Sequence, residues 1–141
     1  MNALYANLDR LSPQVLSVLR VVTALLFLEF ALWKLMDFPT APDFEVTPLY
    51  YVAGLLELVG GSLLLLGLFT RPVAFVLAGE SAVAYFYEHA PQSFFPIVNE
   101  GIPAIMFCFV CFYIAFAGGG AFSLDWALHW RTNRPASGLS E

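Results

Sequence analysis

Four apolar runs, at about 15–37, 50–69, 72–90 and 100–118, occupy most of this chain. Each is long enough to cross a lipid bilayer, since a spanning helix needs about 20 residues for a hydrocarbon core about 30 Å thick. Inside a bilayer every backbone polar group must be satisfied internally, so such runs are confined to helices. The expected fold is therefore all-α, a four-helix transmembrane bundle. The composition agrees: 60% of the 141 residues are hydrophobic and 12% charged, against about 45–50% and 25% in a soluble domain. Yet Glu29, Glu57 and Glu80 lie inside three of the runs, and Glu100 opens the fourth. A carboxylate near mid-bilayer costs roughly 3 kcal/mol on insertion scales. Four acids at related depths point to a shared polar site.

The basic residues set an orientation. Arg10 and Arg20 precede or open the first run, Arg71 lies in the Thr70-Arg71-Pro72 turn, and Arg131 and Arg134 follow the fourth. The turns around 38–49 and 91–99 contain no Lys or Arg. By the positive-inside rule both termini and the 70–72 turn of this multi-pass chain are expected to be cytoplasmic. The first run reads as a retained span, being too long for a signal-peptide core and followed by no small-x-small cleavage site. Lys34 is the exception to the charge rule. Near the outer end of its span it needs a partner, either Asp37 or an acid on another helix.

Local signals refine the organisation of a single membrane domain, 1–141. Ser12-Pro13 reads as an N-cap followed by proline at the first helical position. The loop at 38–49, with three prolines, Asp43 and Glu45, reads as a structured acidic turn, and 90–96 as an aromatic lid. Gly118-Gly119-Gly120 breaks the last span. Ser123 then reads as an N-cap with Asp125 in the first turn of a short interfacial helix at about 123–131, followed by a disordered tail at about 135–141. Lys34, Arg71, Ser123 and Asp125 are accordingly expected to be structural polar residues.

At 100° per residue, Gly54, Glu57, Gly60, Gly61 and Leu64 share one face. Small-residue faces pack against neighbouring helices. Glu80 aligns with Ala84 and Tyr87, Glu100 with Ala104, Phe107 and Cys111, and Glu29 with Val22 and Trp33. The expectation is an outward-opening pocket about half a membrane deep, lined by Glu29, Glu57, Glu80, His89, Asn99 and Glu100. His89 falls about 180° from Glu80 on an ideal helix, so it joins only where the span ends or bends near Tyr87.

These residues carry a resemblance. Phe27-Leu28-Glu29 with Lys34-Leu35 and Phe38-Pro39, Gly54-Leu55-Leu56-Glu57 with Gly60-Gly61, and Gly67-Leu68-Phe69-Thr70-Arg71-Pro72 resemble segments of the DoxX family of small bacterial membrane proteins. So do Gly79-Glu80-Ser81-Ala82, His89-Ala90-Pro91, Phe94-Phe95-Pro96, Asn99-Glu100-Gly101 and Ser123-Leu124-Asp125. The resemblance covers about 16–126 and implies a four-helix membrane protein related to subunits of quinol- and quinone-linked oxidoreductases. This chain has Glu29-Phe30-Ala31 where relatives often read Glu-His-Gly, and Trp33 at a commonly polar position. That removes one polar ligand.

Two functions compete. In the first, the chain is the membrane subunit of a quinone-linked oxidoreductase system, with buried carboxylates exchanging protons while electrons pass to a redox partner subunit. Quinone is the cofactor this implies. No haem, flavin or metal is expected: no GxGxxG turn is present, His89 and His129 fall at opposite membrane surfaces, and no Glu-x-x-His supports a di-metal site. In the second, the chain is a non-enzymatic carrier, binding or assembly protein using the same acids, alone or as a homo-oligomer. Cys108-Phe109-Val110-Cys111 raises thiol chemistry, but the pair lies inside a span, not at a helix N-terminus where thiols are activated. The few scattered basic residues make no nucleic-acid stripe.

Overall fold

A computed structural model of the protein describes residues 2–42 and 47–132. Asp43, Glu45 and the tail at 135–141 lie outside the described residues. Within them are five α-helices and no strand: α1 (Asn2–Met36), α2 (Pro48–Leu66), α3 (Thr70–Ala84), α4 (Ile102–Ala117) and α5 (Leu124–Thr132). A π-helical turn, Tyr85–His89, extends α3. By length and composition α1 and α2 can each cross a membrane, and α4 is apolar but shorter.

α1 begins before the Ser12-Pro13 start expected from sequence, and Pro13 sits inside it. Proline deprives the Asp9 carbonyl of its helical donor, and this stretch of α1 is exposed, so that carbonyl is not stranded in a core. The Pro13 carbonyl itself accepts from Ser17 Oγ at 2.9 Å and from Ala121 N at 3.1 Å. The start of α1 is thereby tied to the loop before α5.

α1 packs mainly on α2, and α3 mainly on α4. The glycine face of α2 shows how the first pair fits. A Cβ at Gly54 would meet Leu35 at 3.0 Å, and one at Gly61 would meet Leu28 at 3.1 Å. Rising numbers in α2 meet falling numbers in α1, so the two helices run antiparallel at close approach. Gly60, about 100° round the helix from Gly61, meets Leu77 of α3 at the edge of the same buried face. Ala24, Phe27, Leu64, Leu77, Cys111 and Ile114 fill the space between.

One end of the bundle is closed by charges that cap helices. Arg20, 1% exposed, donates to the carbonyls of Leu64, Leu65, Gly119 and Phe122. Arg71 donates to Ala115 O and Phe116 O at the end of α4. Both place a cation where a helix C-terminus concentrates negative potential. Gly67 (φ 67°) turns the chain out of α2 in a left-handed conformation that glycine adopts without penalty. Asp125 reaches from α5 to accept from Phe69 N and Thr70 N, each at 2.8 Å, capping α3. Ser123 Oγ accepts from Trp126 N, as an N-cap does. Asp125→Ala is expected to cost about 1 kcal/mol, the usual loss for a removed N-terminal cap, as read by tertiary unfolding in detergent. An unchanged midpoint would show that other groups cap α3.

Candidate functional site

The opposite end of the bundle is open. A cavity of about 780 Å³ lies there between α1, α2, α3 and α4, with Glu57, Glu80 and Lys34 among its lining residues. Helical phase accounts for their convergence. On α2, Glu57 belongs to the buried face with Gly54, Gly60, Gly61 and Leu64, and is 5% exposed. On α3, Glu80, Ala84 and Tyr87 line one wall.

Lys34 Nζ donates to Glu57 Oε1 at 2.5 Å. The ammonium also lies 5.8 Å from the Phe30 ring centroid and 5.9 Å from that of Tyr50, within range of cation–π attraction. The partner Lys34 requires is thus an acid on another helix, not Asp37. Glu57 and Glu80 lie within hydrogen-bonding reach of each other. Glu57 Oε2 and Glu80 Oε2 are both buried without a donor. Ionised carboxylates only accept, so a bond between the two requires one proton. The arrangement is a cation, a carboxylate and a carboxyl able to hold that proton.

The mouth is organised by the π turn and the loop after it. Ala90 N bonds back to Tyr85 O at 2.8 Å, a wider turn that shifts the helical phase and brings His89 to the cavity. His89 Nδ1 lies 2.8 Å from Asn99 O. A carbonyl only accepts, so Nδ1 carries the proton and Nε2 of the neutral ring is an acceptor. Glu88 stands beside the Tyr50 hydroxyl at the opening. Glu100 also lines the mouth, with φ 57°.

Two of the expected pocket residues stand elsewhere. Glu29 is exposed and does not line the cavity. The buried stripe of α1 runs through Arg20, Ala24, Phe27 and Ala31, and Glu29 lies about 200° from Phe27 on the helix. It faces away from the bundle. Asn99 is 1% exposed but is spent on the loop: Nδ2 donates to Ser93 O and Oδ1 accepts from Gly101 N, each at 2.8 Å. Its contribution to the mouth is the carbonyl that holds His89.

Tyr50 was not singled out from the sequence. The signal was there, because Tyr50 and Glu57 are seven residues apart and fall within about 20° of one another. Lys34, expected from the sequence to be a structural polar residue, is also part of the cavity lining. The apolar remainder of the wall comes chiefly from Phe27, Phe30, Trp33 and Phe107. Phe107 lies 5.0 Å from Phe27 and 5.8 Å from Phe30, centroid to centroid. Cys108 and Cys111 are free thiols.

The DoxX family profile matches residues 15–90. A protein of Haemophilus influenzae described as uncharacterized is 41% identical over 126 residues, which cover 84% of this chain and 94% of that relative. No solved structure is similar enough to match.

Proposed function

The chain belongs to the DoxX family, and from that premise we propose that it is a multi-pass protein of the bacterial inner membrane whose cavity binds a quinol headgroup and exchanges protons with it. In this reading four helices span the bilayer. α1 and α2 meet the length requirement directly, while α3 with its π turn covers 70–89, about 30 Å at 1.5 Å per residue. The capped end carries Arg20 and Arg71 and faces the cytoplasm with both termini. The cavity faces outward.

The observation that carries the reading is the Lys34, Glu57 and Glu80 group at an aromatic-walled cavity. Its volume falls in the range of about 300–1,000 Å³ usual for small-molecule sites. The residues fit such a headgroup. Lys34 can donate to a ring oxygen, Glu80 can accept from a hydroxyl, and the Phe27, Trp33 and Phe107 rings offer apolar faces that exclude water. A bound quinol supplies two electrons and two protons on oxidation. With one proton already shared between them, Glu57 and Glu80 take up the quinol protons one at a time, and His89 Nε2 passes the first outward at the mouth before the second is accepted. A redox partner subunit accepts the electrons. Glu29, on the outer face of α1, is where such a partner would bring a polar group, since an unpaired acid facing lipid is costly.

The test is retention and binding of quinone by purified protein. Glu57→Gln and Glu80→Gln are each expected to weaken binding about tenfold or more, the scale of losing one charge-assisted hydrogen bond. Unchanged binding in both variants sinks the proposal. Retention of a ligand that never turns over in the presence of membrane redox partners favours the non-enzymatic binding reading.

A further inference from the structure

The cavity wall is uneven. α1 and α4 are the most loosely packed of the neighbouring helix pairs, and beside the cavity they meet through rings, Phe107 against Phe27 and Phe30. Phe30 and Trp33 lie on the flank of α1, about 60° and 120° from Phe27 on the helix, yet both line the cavity. The cavity therefore reaches round α1 toward its outer surface. Phe30 is 36% exposed, and Pro103 on the α4 side is exposed while also lining the cavity. Just outside the seam Leu26 and Met106 are exposed apolar residues, with Glu29 farther round α1.

We infer that the α1–α4 seam at Phe30 and Phe107 is a side door, and that the ligand is an amphiphile whose head meets Lys34, Glu57 and Glu80 while its hydrocarbon tail leaves through the seam into the bilayer. The inference rests on the reading of the cavity as a small-molecule site within the membrane, and it adds the tail and its route. The apolar strip is continuous from the cavity to the outer surface, so a tail leaving this way stays in contact with hydrocarbon. Leaving by the loop side would expose it to His89, Gln92 and Glu100 at the mouth. Aromatic side chains suit a door because rotation about two side-chain torsions opens it without moving a helix.

The full chain in lipid nanodiscs is photolabelled with two probes, each with a diazirine part-way along a saturated decyl tail, where it would sit in the seam when the head is bound. One carries a dimethoxy-methyl-benzoquinone head and the other a plain alcohol. Adducts on the inward-facing Ala104 and Phe107, well above those on the bilayer-facing Phe109, support the door. Phe30→Trp is expected to cut seam labelling about tenfold, because overpacking a filled apolar slot costs on that order, whereas Val59→Trp on the outer face of α2 leaves it unchanged. Seam labelling by the quinone probe supports both readings. Seam labelling by the alcohol probe alone supports the door and sinks the quinone assignment. Labelling confined to Phe109 and the outer helix faces with both probes, or labelling indifferent to Phe30→Trp, overturns the door.

Discussion

Arg20→Met is expected to destabilise the protein by about 3–5 kcal/mol, the range for removing one member of a buried charged network. Methionine preserves much of the volume and removes every donor. Arg20 serves Leu64 and Leu65 at 2.5 and 2.6 Å, Gly119 at 2.9 Å and Phe122 at 2.7 Å. The first two are among the last carbonyls of α2, and of them Leu64 O also accepts from Gly67 N at the helix end, at 3.1 Å. The others belong to the loop that returns the chain to α5. One guanidinium therefore ties α1, the end of α2 and that loop together, and water has little access to replace it. Arg20→Lys is expected to recover at most about half the loss, because an ammonium lacks the planar fork that reaches several carbonyls at once. Helical content is a poor readout, as spanning helices persist when their packing is lost. Tryptophan fluorescence during denaturant titration in micelles reads the tertiary change through Trp126, three residues after the α5 N-cap Ser123. A loss below about 1 kcal/mol for Arg20→Met would mean that the freed carbonyls find other donors.

The contrast between Arg20 and Glu57 shows where sequence reasoning succeeds. Glu57 shares its helical face with three glycines, and a glycine face has one use in a bundle, the close approach of another helix. That face is the one buried. Glu29 offered no such discrimination. Nearly every residue around it is apolar, so both sides of α1 look alike on a helical wheel and the amphipathic signal is weak. The buried side emerges only from the stripe of Arg20, Ala24, Phe27 and Ala31 in contact with its neighbours. The need of Lys34 for an acid could be read from its place in an apolar run. Which acid it meets depends on the rotation and stagger of α1 against α2, and these follow from the Gly54 and Gly61 contacts. Arg20 resembled a topology marker because its partners are backbone carbonyls, which leave no trace in side-chain pattern. His89 depended on the π turn, a local insertion that periodicity does not encode.

Lys34→Met is expected to cost about 3 kcal/mol, as breaking a buried ion pair does when one member is left behind. The expected consequence goes further than stability, because Lys34 is the cation that two carboxyl side chains face. Without it Glu57 keeps neither the 2.5 Å donor nor the neighbouring positive charge, and Glu80 lies close by with a buried oxygen of its own. Lys34→Met combined with Glu57→Gln removes both charges of the pair. The double variant is expected to be more stable than the sum of the two single losses implies, with a coupling of about 1.5–3 kcal/mol, within the range found for residues in one network. Glu80→Gln in the Lys34→Met background is expected to recover less, since Glu80 is not the group that Lys34 bonds directly. Denaturant titrations of the full set in one detergent give the cycle. Additive losses would show that Lys34 and Glu57 act independently, and the two acids would then have to be held in the cavity by something other than this cation.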